Sequence, residues 1–355
     1  MLNKPHIIRT LKQVSAISLT TARESIQEPA VFLIMLCGMV ITLLVPVFQF
    51  NRFSEEGRLA RDSGLSTMLV FGLVLAAGTA GRAVAGEIES GTAAAIIGKP
   101  VSRVTFLSAK TLGVFWVVLI FWCGILCSTM ISERVSARFI ATKNFAGYVT
   151  DQTSLLFALG SLLLVLIIGA AAHFRGHSFG TVTCCGITVA QALVVSATGF
   201  YNRMGKLHYL SGQAGDSSGS ADCHEALQRV VYNADLNLRI IPAALLILFA
   251  LVVFVSLACA LATRLQSGAV LILCALILLI GLTGDVFAFN TNLLSWRVIP
   301  SGLLPDVQHF WMCDALAGGG RIPLRYLLEA GLYALTCCSL FLAAGCMAIQ
   351  NRDLG

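Results

Sequence analysis

The interpretation of this chain starts from residues 82–110, which read RAVAGEIESGTAAAIIGKPVSRVTFLSAK. They join two long apolar runs and are far longer than the few residues that two neighbouring membrane helices need. Six charged side chains lie here: Arg82, Glu87, Glu89, Lys99, Arg103 and Lys110. A charged segment of this length between apolar runs predicts an ordered loop that a soluble partner can contact.

The order within this loop follows from its turn and cap residues. Gly91 permits a tight turn. Residues 92–97 are predicted to form a short helix, which the Gly-Lys-Pro sequence at 98–100 ends. Ser102 is suited to cap the next helix. We therefore predict a docking platform with a short helix at its centre.

The composition predicts a membrane protein. Of 355 residues, 57% are hydrophobic and 12% charged, and the mean hydropathy is +0.84. A soluble domain carries about twice this share of charge. The apolar residues fall in runs of about 20, the length of a membrane-spanning helix. We predict an all-α polytopic membrane protein with about eight transmembrane helices. The predicted spans are 30–49, 65–86, 111–131, 154–172, 178–200, 240–262, 268–288 and 326–349.

An amphipathic helix is predicted before the first span, over residues 5–28, so that residues 1–29 form an amino-terminal region. One face carries Ile7, Ile8, Leu11, Val14, Ile17, Ala22 and Ile26; the other carries Arg9, Lys12, Arg23 and Glu24. Such a helix suits the membrane surface and contact with lipid. The alternative is a helix packed on the protein itself. Glu28-Pro29 is expected to end it.

The remaining layout follows from the spans. Residues 30–350 form the transmembrane domain, with a cytoplasmic loop at 82–110, outer loops at 201–239 and 289–325, and a short tail at 351–355. Basic residues divide almost evenly between the two sides, whereas acidic residues concentrate in the outer segments. The net charge therefore points to cytoplasmic termini. We also expect residence in the inner cell membrane. Very short links at 175–178 and 264–267 predict tight helical hairpins.

Catalytic and nucleotide-binding patterns are absent from the sequence. The stretch 91–100 departs from the phosphate-binding pattern in glycine spacing and has Pro100 after its lysine. The spans contain no paired carboxylate, His-Glu or Ser-Lys set. We therefore expect no enzyme activity, no cofactor and no nucleic-acid partner. The spans also lack an ionisable relay of the kind that ion-driven transporters bury, so energy for transport would come from a partner.

Span five is the most polar and is the predicted path lining, through Gln191, Thr188 and Ser196. For Gln191 a hydrogen bond between helices is the favoured alternative. In the outer loops a metal site can be drawn from His208, Cys223, His224, His309 and Cys313, but the ligand spacing is loose. A Cys223–Cys313 disulfide is the better interpretation, and we predict no metal.

The pattern Glu87-x-Glu89-x-Gly91-Thr92, followed by Pro100-Val-Ser-Arg103 and Lys110, resembles the ABC-2 family of ABC transporter permeases. The likeness is greatest to the branch linked to multicopper-enzyme maturation and gliding, and it covers about residues 1–130. The resemblance implies that two permease subunits pair, identical or different, and that each binds a separate ABC ATPase subunit. It also implies outward transport.

Carried onto this sequence, the ATPase contact comprises Glu87, Glu89, Gly91 and Thr92, with Arg103 at the start of the third span. The chain would then be the permease subunit of an ABC-2 type transporter, without a nucleotide site of its own. The alternative is a membrane scaffold or assembly factor that transports nothing.

Overall fold

The computed structural model describes residues 4–48, 57–90, 102–142, 145–176, 178–201, 236–289, 305–313, 315–316, 320 and 322–350. Several predicted features lie outside these residues. They are Gly91, Thr92, the short helix at 92–97, Pro100, most of the outer loop at 201–239 and the tail at 351–355.

The described residues are mainly helical. The helices are α1 (Lys4–Gln27), α2 (Pro29–Leu44), α3 (Arg58–Ala80), α4 (Arg103–Val135), α5 (Gln152–Phe174), α6 (Phe179–Ala197), α7 (Ile240–Ala262), α8 (Ser267–Phe289) and α9 (Leu324–Gln350). Short 3₁₀ turns extend α2 (Val45–Phe48) and α6 (Thr198–Phe200), and another lies at Gln308–Phe310. Within the described part of the chain, seven helices are long and apolar enough to cross a membrane. The chain is a helical, multi-pass membrane protein.

Two spans are longer than hydropathy alone predicted. The second was expected at 65–86 and the helix extends over Arg58–Glu89; the third was expected at 111–131 and extends over Arg103–Val135. Several charged residues of the added turns, such as Arg61, Lys110 and Arg134, are buried and ion-paired, which an average over hydropathy does not register. The predicted span at 268–288 coincides with α8. The apolar part of this helix, Ser267–Leu282, is shorter than the seven helices counted above.

One hairpin interrupts the helical pattern. Strand β1 (Arg138–Thr142) pairs antiparallel with β2 (Phe145–Val149), with Arg138 opposite Val149 and Thr142 opposite Phe145. The all-helical prediction did not include it. Aromatic and β-branched residues on both sides of the two-residue sequence Lys143-Asn144 were the available signal.

The chain divides into two compact units. Unit 1 comprises Met1–Val31, Leu69–Leu119 and Pro242–Gly355, and unit 2 comprises Phe32–Met68 and Ile120–Ile241. In unit 1, α7 supplies much of the core, including Leu246, Leu251 and Phe254. In unit 2, α5 and α6 form the predicted tight hairpin. Gly176 adopts φ +81° in its turn, a conformation that favours glycine.

Helix α1 ends at Gln27, as the Glu28-Pro29 sequence predicted. Its second half packs on α4 within unit 1, because Ser18, Thr21 and Ser25 are buried and a Cβ at Gly113 would lie 2.7 Å from Thr21 Cβ. Leu11 is nevertheless 63% exposed. The second half of the helix thus packs on the protein, as the alternative interpretation held, and the interfacial role stays a prediction.

Candidate functional site

The predicted loop begins with an irregular turn that the sequence reasoning missed. After Ala80, the chain passes through a π-helical turn (Gly81–Gly86) into a short helical segment (Glu87–Glu89). A Cβ at Gly81 would lie 2.8 Å from Ser267 Cα, so only glycine lets this turn approach the start of α8. Single π turns occur frequently at functional sites. Glycines at both ends of the turn were the signal available in the sequence.

An ion pair joins this segment to α4. Lys110 Nζ contacts Glu87 Oε1, and the two side chains are only 4% and 22% exposed. The Lys110 ammonium also lies 5.8 Å from the centroid of the Phe106 ring. Because a buried ammonium needs a counter-charge, Glu87 holds the end of α3 against the second turn of α4.

The first residues of α4 are fixed as well. Ser102 Oγ accepts a hydrogen bond from Thr105 N at 3.1 Å, which confirms the predicted cap. Arg103 Nη1 donates to Ile349 O at 2.9 Å and to Gln350 O at 3.0 Å, the last carbonyls of α9. Arg103 therefore binds another helix of unit 1.

A second arginine reaches the same helix end. Arg264 lies between α7 and α8, and its Nη2 donates to Ala348 O at 2.8 Å. An arginine at a helix carboxy terminus satisfies carbonyls that have no partner within the helix and favours the helix dipole. Beneath these contacts, Phe106 and Ile349 form a buried apolar cluster with Ile88.

A second ion pair connects Glu28, between α1 and α2, with the π turn. Arg82 Nε contacts Glu28 Oε2, with side chains 40% and 30% exposed. Burial raises the pKa of Glu28, and the neighbouring Arg82 opposes that rise. The start of α2, the end of α3, the start of α4 and the end of α9 thus meet at one end of unit 1. We call it the docking end.

The predicted partner contacts have different surroundings at the docking end. Glu87 and Arg103 are engaged within the chain, whereas Glu89 is exposed, and Gly91 and Thr92 lie outside the described residues. Glu87 and Arg103 therefore hold this segment and the start of α4 in place, and Glu89 is the predicted contact residue that is exposed.

The predicted path residues lie on α6. Gln191 is buried, and its Nε2 donates to Ala158 O at 3.1 Å and to Ser161 Oγ at 3.2 Å, which confirms the predicted bond between helices. Thr188 Oγ1 donates to Cys184 O at 3.1 Å. Ser196 is exposed and its hydroxyl donates to Leu193 O at 2.8 Å. A path-lining role for Gln191, Thr188 and Ser196 stays a prediction.

Unit 2 contains a buried charged network that the sequence did not reveal. Arg134 Nε lies 2.8 Å from Asp151 Oδ2, with side chains 1% and 0% exposed. Arg134 also donates to Thr198 O at 2.7 Å and to Tyr201 O at 2.9 Å. Asp151 Oδ1 accepts from Ser154 N and so caps α5. Burial raises the pKa of Tyr201.

The outer-loop alternatives remain predictions. Among the described residues no group of three metal-binding side chains occurs. His309 Nδ1 pairs with Asp306 Oδ2 at 2.9 Å, and Cys313 is buried. His208, Cys223 and His224 lie outside the described part of the chain, and the Cys223–Cys313 disulfide stays a prediction.

No protein-family model matches this chain, and no curated protein matches it significantly.

Proposed function

We propose that this chain is the permease subunit of an ABC transporter of the ABC-2 type, moving its substrate outward and driven by a separate ATPase subunit. The observation that carries the proposal is the arrangement of Glu87 and Glu89. Glu87 is used internally to fix the segment to α4, and Glu89, two residues later, is exposed on that fixed segment. A rigidly held, exposed carboxylate suits recognition by a basic groove of a soluble partner.

Charge supports a cytoplasmic location for the docking end. In the described residues of unit 1, Arg82, Arg103, Lys110 and Arg264 lie at this end, and Arg325 starts α9 at the opposite end. Basic residues concentrate on the cytoplasmic side of membrane proteins. A cytoplasmic ATPase could therefore reach Glu89.

The path of α8 supports eight crossings. Its first residue, Ser267, lies against Gly81 at the docking end. Its residue Leu282 accepts a hydrogen bond from Gln308 Nε2 at 3.0 Å, in the segment that precedes α9. Counted as a crossing, α8 gives an even number, and both termini lie on the cytoplasmic side of the inner cell membrane.

In this mechanism the partner supplies the energy. Closure of the ATPase on ATP displaces Glu89, and the Glu87–Lys110 pair transmits the displacement to α4. The π turn, whose hydrogen bonding already departs from that of an α-helix, absorbs the change in direction at the end of α3. A second permease subunit, identical or different, completes the transporter.

Co-purification tests the proposal. The membrane protein is expressed with each candidate ABC ATPase subunit of its source genome, and bound ATPase and its ATP turnover are measured. Reversing the charge with Glu89→Lys is expected to weaken association at least about tenfold, since like charges would then meet. The matched control is Glu329→Lys, which reverses an exposed glutamate on α9 away from the docking end. Equal association of wild type and Glu89→Lys would refute docking at this site.

A non-transporting scaffold is the second candidate. It is favoured by Gln191, whose amide nitrogen is used to join α5 and α6. The two functions differ in the same preparation. A transporter changes the ATP turnover of its partner when a transported lipid, drug or metal is added, and a scaffold does not.

A further inference from the structure

Two arginines donate hydrogen bonds to the carboxy-terminal end of α9 at the docking end. Arg103 donates to the carbonyls of Ile349 and Gln350, and Arg264 donates to that of Ala348. The last four carbonyls of a helix have no partner within it. Arg103 is the first residue of α4, whereas Arg264 lies in the turn between α7 and α8, so two separate junctions of the chain hold one helix end.

Close packing accompanies these hydrogen bonds. A Cβ at Gly345 would lie 2.9 Å from Leu107 Cδ2 and 3.0 Å from Ala260 Cα, so the last turns of α9 sit directly against α4 and α7. Ile349 shares an apolar cluster with Phe106 and with Ile88 of the docking segment. The residue between Glu87 and Glu89 thus touches the cluster that contains the end of α9.

We propose that Arg103 and Arg264 are positioning residues that make the end of α9 move together with the docking segment. The inference rests on the proposed function: a partner bound at Glu89 would displace α9 along with α3 and α4. Charge-assisted hydrogen bonds are stronger than neutral ones, and a closely packed contact transmits a small displacement instead of absorbing it. A cap that only satisfied the carbonyls of α9 would predict no response of that helix to the partner.

Hydrogen exchange with the partner ATPase present separates these roles. The full chain is placed in nanodiscs with the ATPase, binding is measured first, and exchange of amides 343–350 is compared without nucleotide and with ATP trapped by vanadate. In the wild type, trapping is expected to change the exchange rate at least about fivefold, the lower end of couplings between sites. In Arg264→Gln, which lies outside the predicted partner contacts, the ATPase still binds but this change is diminished, and in the ATPase-bound fraction of Arg103→Gln/Arg264→Gln the change is lost.

Further variants keep the test decisive. Arg103→Lys/Arg264→Lys is expected to restore part of the response, because lysine also donates to carbonyls. Arg264→Gln alone changes an exposed side chain. It replaces the double variant in the exchange measurement if the double variant does not fold. Arg325→Gln, which removes an exposed arginine from the start of α9, leaves the response unchanged.

Each result bears on a defined statement. An undiminished response in Arg103→Gln/Arg264→Gln, or no response in a wild type that binds its ATPase, would overturn the transmission role. Failure of the wild type to bind the ATPase would instead overturn the proposed function, and the transmission role with it.

Discussion

At the scale of single residues, one buried lysine organises the docking end. Lys110 is almost fully enclosed, and its ammonium is neutralised by Glu87 and flanked by the Phe106 ring. A charge in such a place is costly unless it is paired. The pair therefore fixes the backbone on both sides of residues 91–101, and it leaves Glu89 as the exposed carboxylate of the short segment.

Glu87→Gln is expected to destabilise the protein by roughly 2–4 kcal/mol, because it leaves the Lys110 ammonium buried without its counter-charge. Lys110→Met should cost less, since Glu87 retains some contact with water, and the double variant should recover part of the loss of Glu87→Gln. Unfolding in mixed detergent micelles measures the differences. Glu329→Gln, at an exposed pair, is the control and should change stability by less than about 1 kcal/mol. A loss in Glu87→Gln no larger than this control would contradict the description of the pair.

At the scale of elements, the π turn lets α3 run past the apolar region into the platform. Its two glycines differ in surroundings. Gly81 lies against the backbone of Ser267, whereas a Cβ at Gly86 would meet no atom within 4 Å. The close approach of Ser267 thus explains why residue 81 is a glycine, whereas the space around Gly86 would admit a larger residue.

Gly81→Ala is expected to destabilise by about 1–3 kcal/mol, since the added methyl would force the π turn and α8 apart. Gly86→Ala is the matched control. It adds the same group to open space at a helical φ of −61° and should stabilise by a few tenths to about 1 kcal/mol. Apparent melting temperatures of the two variants in detergent should therefore move in opposite directions. A shift of both in the same direction would contradict the packing of Gly81 on Ser267.

The same elements show what the sequence could reveal. Apolar runs located the membrane helices, and local chemistry located the Ser102 cap and the turn at Gly176, because these depend on neighbours in sequence. The partners of Arg103 and Arg134 could not be predicted. Their backbone acceptors include Ile349 O and Thr198 O, carbonyls far away in the chain, and every residue has a carbonyl. From the sequence, Glu87 and Glu89 could be given only the same role, contact with a partner. The contact with Lys110 shows that Glu87 is engaged within the chain.

At the scale of the whole molecule, the chain is a multi-pass membrane protein whose orientation determines what the docking end can contact. Its sequence shows no nucleotide-binding pattern, so the proposed transporter would draw its energy from the ATPase of a partner subunit. The proposal therefore requires that Glu87–Glu89 face the cytoplasm.

The membrane side of Ser90 tests this requirement most directly. Ser90 is exposed next to Glu89, and Ser90→Cys introduces a thiol that a membrane-impermeant maleimide can modify. The peptide containing residue 90 is then analysed by mass from intact spheroplasts and from inverted vesicles. The account predicts modification in inverted vesicles and none in intact spheroplasts, whereas modification from the outside of intact spheroplasts would contradict it.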